Sequence, residues 1–229
     1  MNVKYLPKSH IETAAFNLLV VYGQKYGELS KPPIPVDEII ESHLQLDYGF
    51  DDLSVVLSMP DVLGATWVQN RKICIDQSLD PTENPSVEGR YRFTAAHELG
   101  HWCLHRHQIM EKSGGLFETK SKPSFICRTS SAKEPIEQQA DMFAGYLLMP
   151  KELIHNAWKG IYGNLEPYVA VNEIKNLSAR WGLAEDNRPT VKVAKQLAQM
   201  FNVSGQAMQI RLIGMNLILT KERERGLFE

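Results

Sequence analysis

The pentapeptide His97-Glu98-Leu99-Gly100-His101 constrains this chain more than any other feature. It sits in a proline-free run from Ser86 to about His107 that reads as a helix. On a helix, residues i and i+4 lie on one face, so both imidazoles can reach a single metal ion. Glu98 stands about 100° further round the helix. It can touch a water at the metal without ligating the metal itself. The small, apolar run Phe93-Thr94-Ala95-Ala96 leads into the motif and suggests a buried helix face.

A catalytic zinc needs a third protein ligand and an open fourth position. His107 falls at the third-ligand position of the longer H-E-x-x-H-x-x-G-x-x-H pattern, but Leu104 replaces the glycine that would turn the chain back. His105 lies two turns from His97. Both are expected to be helix-end or surface histidines, favoured there by the helix dipole. The preferred third ligand is Glu137, in Glu137-Gln-Gln-Ala-Asp141 on a helix spanning Ile136 to Met149 and stopped by Pro150. Asp141, one turn on, is expected to accept a hydrogen bond from the distal nitrogen of a ligating histidine. It is also the substitute ligand. Ala140 and Ala144 are small enough for close helix approach, and Phe143, Leu147 and Leu148 imply burial that would make unpaired carboxylates costly.

Elsewhere, Ser9 and Glu12 suggest a capping box before a helix ending near Gly23. The segment 31–35 is a proline-rich link, Asp37 to His43 a short helix and Leu44 to Phe50 a strand. Gly64 to Val68 and Lys72 to Asp76 form a hairpin, whose exposed edge offers a place for a substrate strand to add. Residues 108–135 read as a long irregular connection. After the Gly/Pro/Asn-rich stretch Gly160 to Pro167 the chain reads as all helix, with Val191 to Phe201, the turn Asn202-Val203-Ser204 and Gly205 to Ile213 forming a helix-turn-helix-like pair. The expected class is α+β, mostly helical: a gluzincin-like zinc peptidase core with a small sheet over 1–160, then a helical region over 161–229.

Composition narrows the function classes. With 229 residues, 43% apolar, the chain can hold one large domain or a catalytic domain with an appendage. Its net charge of −2 argues against a nucleic-acid coat or membrane-surface binder. No apolar run is long enough to span a bilayer and no signal peptide opens the chain, so a cytoplasmic location is expected. Three cysteines, Cys74, Cys103 and Cys127, have no disulfide-framework spacing. Cys103 reads as a core thiol. Cys127, in the long connection, reads as inert rather than as a fourth zinc ligand of a latent form. From residue 191 onward six basic residues face three acidic ones. The second helix offers just Arg211, Gln206 and Gln209 to DNA, so DNA binding is weakly supported.

Together, His97-Glu-Leu-Gly-His101 and the block from Glu137 to Pro150 resemble the ImmA/IrrE family of metallo-endopeptidases. The resemblance continues through 35–40, Gly64, 92–97 and 197–212. It implies zinc ligation by His97, His101 and Glu137, with Glu98 as the catalytic glutamate. Members are bacterial or phage proteins that inactivate a helix-turn-helix repressor by proteolysis. Gln138 and Gln139 depart from the more acidic residues of many members, and the sequence ends without the C-terminal sensor domain some relatives carry. The trigger is then expected to act on the catalytic domain, a partner or the metal supply. The expected activity is zinc-assisted peptide hydrolysis, with manganese an alternative metal. Glu98 moves the proton, and Tyr91 or Tyr146 is a possible additional donor to the developing oxyanion. An alternative reading is a non-catalytic zinc-binding regulator that binds a repressor or DNA. Hydrolysis of a small amide or ester is a third.

Overall fold

A computed structural model describes residues 5–112, 122–129, 134–181 and 189–221. Helix α1 (Lys8–Tyr26) buries Ile11, Ala15, Leu19 and Tyr22, a stripe at helical spacing. It begins after Pro7 with no side-chain cap, so Ser9 lies inside the first turn and the expected capping box does not form. The short helix α2 (Val36–Glu38) runs on into a π-turn over Ile39–His43. Tyr22 donates to Glu38 Oε2 at 2.7 Å and ties the two helices together.

Strand β1 (Asp47–Asp51) is followed by a one-turn helix, α3 (Leu53–Val56), started by Asp52, whose carboxylate accepts from the Val55 amide. Strands β2 (Val62–Trp67) and β3 (Lys72–Asp76) form the expected antiparallel hairpin. Helix α4 (Glu88–Lys112) carries the H-E-x-x-H motif. Strand β4 (Phe125–Arg128) and helix α5 (Pro135–Leu148) follow. The sheet order is β1-β3-β2-β4, with β1 parallel to β3 and β4 antiparallel to β2. The edge at Gly64 to Val68, expected to be open for a substrate strand, is therefore covered by β4. That strand lies in the stretch read from sequence as irregular. Of that stretch, 113–121 and 130–133 lie outside the described residues.

Side chains alternate across the sheet. Ala65, Trp67 and Cys74 pack with Leu53 and Ile126 in one cluster. Gly64, Thr66, Phe125 and Cys127 take the opposite face, toward α4. Helix α5 packs against α4 and α1. The crossing with α4 is tight at Gly100, where a Cβ would stand 3.2 Å from Ala140 Cα and O and from Phe143 Cδ1.

The described chain divides after Pro150 into two compact units, the second opening with α6 (Lys151–Tyr162). Within that second unit, Trp158 is buried and donates to the Glu166 carbonyl at 3.3 Å. Helices α7 (Val171–Trp181), α8 (Lys192–Phe201) and α9 (Gly205–Gly214) are joined by a two-stranded parallel pair, β5 (Tyr168–Val169) and β6 (Ile218–Leu219). The region is thus not all helix: two dipeptides pair across nearly fifty residues, too short a pattern to see in sequence. The α8–α9 turn is a helix-turn-helix-like bend, with Asn202 left-handed at φ 50° and Ser204 capping α9 through the Ala207 amide at 3.1 Å. Gln209 is buried, accepting from the Val191 amide at 2.7 Å and donating to the Pro189 carbonyl at 3.1 Å. It is not available to read a base. Arg223 and Arg225, counted in the basic balance of this region, lie outside the described residues.

Gly100→Val places a branched side chain into the α4–α5 crossing. It should destabilise the protein by about 1–3 kcal/mol through overpacking, read as a lowered urea midpoint. An unchanged midpoint would contradict the close-approach account.

Candidate metal centre

Helix α4 presents His97 and His101 on one face, and α5 brings Glu137 opposite them. His101 Nε2 lies 3.0 Å from His97 Nε2. Glu137 Oε2 lies 3.2 Å from His97 Nε2, and its Oε1 lies 3.4 Å from His101 Nε2. Ligand atoms at about 2.1 Å from a tetrahedral zinc stand roughly 3.4 Å apart. The three donors are therefore within a few tenths of an ångström of a ligating arrangement. Two imidazoles and one carboxylate are also the chemistry that a catalytic zinc takes.

Each histidine is oriented from behind. His97 Nδ1 meets Asp141 Oδ1 at 2.9 Å, the partner expected from sequence. His101 Nδ1 meets His105 Nδ1 at 3.2 Å, and His105 Nε2 meets Gln139 Oε1 at 3.3 Å. Because the Gln139 oxygen accepts, His105 Nε2 carries the proton and its Nδ1 is left as an acceptor. His101 Nδ1–H then donates to it, which leaves His101 Nε2 as the nitrogen that faces Glu137. Burial and the neighbouring His101 push the His105 imidazole down to about 4, consistent with its neutral role. His105 is fully buried rather than at the surface, because Gln139 and the Phe125 ring close over that turn of α4. His107 is exposed, as expected. The signal for His105 was its i+4 spacing from His101, paired with a glutamine in place of the usual acidic residue.

Charge is balanced within the cluster. Burial pushes the Glu137 carboxyl up, but hydrogen bonds from His101 and His97 outweigh it and pull it down to about 2. Burial works against a charged His97, yet its hydrogen bonds to Asp141, Cys127 and Glu137 hold the imidazole well above its ordinary range.

Glu98 faces the sheet and is fully buried. Thr66 Oγ1 donates to its Oε2 at 2.5 Å, while its Oε1 has no partner among the described residues. Burial raises its carboxyl above the ordinary range, and the two histidines oppose that rise. Gly64 lies directly opposite: a Cβ there would stand 3.0 Å from Glu98 Cγ and Oε1 and 2.9 Å from Thr94 Cγ2. The missing side chain leaves room for the carboxylate. The Phe125 ring stacks on His101, centroids 4.5 Å apart. Cys127 hydrogen-bonds His97. Thr66 and Phe125 were not singled out as site residues from sequence and Cys127 was read as inert, because strand pairing brings all three in from up to 35 positions away from the motif. Tyr91 is engaged elsewhere, donating to Asp37 at 2.7 Å and accepting from Tyr48 at 2.8 Å. Trp102 is a buried packing residue and Cys103 a thiol pushed up to about 12 by burial.

Residues 60–212 match the family described as the IrrE N-terminal-like domain, peptidase M78. No curated protein matches the chain significantly. Among solved structures, a Mycobacterium tuberculosis transcriptional regulator is similar at 14% identity and a TM-score of 0.47. That likeness covers 96% of this chain and 55% of the other, so this chain spans about half the length of that protein. The family match takes in about two thirds of the sequence, the H-E-x-x-H helix and the Glu137 helix among it, and agrees with the resemblance read from those motifs. The chain belongs to the M78 peptidase family of IrrE N-terminal-like domains.

Proposed function

We propose that the protein is a zinc-dependent endopeptidase that hydrolyses a peptide bond in a helix-turn-helix transcriptional repressor and so relieves repression. The observation that carries this reading is the convergence of His97 Nε2, His101 Nε2 and the Glu137 carboxylate within 3.0–3.4 Å, beside Glu98 Oε1, which has no partner among the described residues. Zinc held by these three residues supplies a Lewis acid that polarises a carbonyl and acidifies water. The same donors also suit manganese.

Glu98 is the general base. Thr66 fixes its Oε2, so Oε1 is the atom that takes the proton of the attacking water and later delivers it to the leaving nitrogen. Burial raises its carboxyl above the ordinary range, which favours holding the proton. Asp141 and the His105–Gln139 pair hold the two imidazoles in the tautomer that turns both Nε2 atoms inward. The covered β2 edge removes the simplest route for strand addition. The repressor as substrate rests on the family relationship. The helix-turn-helix-like pair α8–α9 is read as a packing or substrate-holding element rather than a groove reader, since Gln209 is turned inward. Among the described residues no helix is long and apolar enough to cross a membrane.

Glu98→Gln keeps the shape and the metal ligands and removes the base. Cleavage of a purified helix-turn-helix repressor encoded beside the gene should fall by about 10²–10⁴-fold, with zinc content unchanged. Full activity in this variant would favour the non-catalytic regulator.

Metal uptake must displace the proton from His97, whose imidazole is held above its ordinary range in the metal-free protein. Affinity should therefore rise with pH, by about tenfold per unit for one displaced proton, and flatten above the raised value. Chelator competition between pH 6 and 8, corrected for the chelator's own protonation, measures this. A flat profile would contradict the assignment.

Chelation of the metal should abolish cleavage and leave far-ultraviolet circular dichroism nearly unchanged, because Glu137 still bonds both histidines without it. Global unfolding on chelation would show instead that the metal is structural.

A further inference from the structure

We propose that the Cys127 thiolate is a fourth ligand of the metal at His97, His101 and Glu137, holding the protein in a latent form; this rests on the metal-site reading above. In the sequence Cys127 reads as an inert cysteine of the long connection. Strand β4 changes that, since it pairs Cys127 with Gly64 on β2. Phe125, two residues earlier and so on the same face, stacks on His101. Cys127 thereby reaches the next position along α4 and hydrogen-bonds His97.

A ligating nitrogen of His97, a carboxylate oxygen of Glu98 and the Cys127 sulfur all lie within 4.8 Å of one another. The sulfur thus lies beside both His97 and Glu98, next to the space that water must occupy if Glu98 is its base. A second observation marks the same space. Glu98 is fully buried, yet its Oε1 has no partner among the described residues. Gly64, opposite Cys127, adds no side chain there. Zinc accepts thiolate sulfur together with imidazole nitrogen and carboxylate oxygen.

The step balances within the site. As the metal–sulfur bond forms, the thiol S–H bond breaks and its proton passes to the Glu98 carboxylate. The fourth position is then filled and the base already protonated, so neither water nor a carbonyl can be activated. Displacement of the sulfur returns the proton from Glu98 to the thiol.

The test is the absorption spectrum of the full chain loaded with cobalt(II) in place of zinc. The expected result is a near-ultraviolet thiolate-to-cobalt charge-transfer band together with intense visible d–d bands of a four-coordinate ion. Cys127→Ser should lose the first and keep the second, and its zinc form should cleave repressor faster than the native protein. Visible bands without charge transfer in the native chain would overturn the Cys127 assignment and leave the three-ligand site standing. No cobalt bands at all would overturn the site and the proposal with it. A charge-transfer band that survives Cys127→Ser would assign the sulfur to another cysteine and also overturn the proposal.

Discussion

The separation of α4 and α5 at Gly100 and Ala140 governs everything else in the first unit. The His97 and His101 side chains project from one helix, and Glu137 from another. A glutamate side chain is short, so the two backbones must nearly touch for its oxygens to come within 3.2–3.4 Å of both imidazoles. Gly100 favours that approach, since a Cβ there would press to 3.2 Å from Ala140 Cα and O. The glycine inside the H-E-x-x-H motif therefore serves the helix crossing rather than the metal chemistry.

Once the helices are that close, buried polar side chains on α4, His97, Glu98 and His101 among them, require partners. His97 finds Asp141, His101 finds His105 and then Gln139, and Glu98 finds Thr66 with one oxygen only. Leaving a buried polar group unmatched costs about 1–3 kcal/mol. Glu98 Oε1, without a partner among the described residues, is the atom beside the histidines that the proposed base would use. Structure and chemistry meet at that atom. The sheet supplies the other wall, with Gly64 and Thr66 from β2 and Phe125 and Cys127 from β4 aligned on the face toward α4.

Local periodicity made the α4 and α5 helices, the β2–β3 hairpin, the α8–α9 bend and the His97, His101, Glu137 and Asp141 cluster legible in the sequence. Each depends on spacing within a few residues or on small residues at a helix face. What stayed hidden depends on pairing over long distances. Strand β4 is four residues whose pairing with β2 is decided some sixty positions away, and β5 and β6 are dipeptides that mean nothing apart. His105 was misjudged for a related reason. Its distance from His97 excluded it as a ligand, and its i+4 spacing from His101 shows its supporting role only once α5 brings Gln139 over it. Ser9 failed as a cap because Pro7 starts the helix earlier.

X-ray absorption at the zinc edge tests most directly whether these side chains share one ion. The account predicts a single zinc per chain with two imidazole nitrogens and a carboxylate oxygen at about 2.0–2.2 Å, lost on replacing Glu137 together with either histidine. Zinc bound with no imidazole scattering, or bound unchanged in those variants, would contradict it.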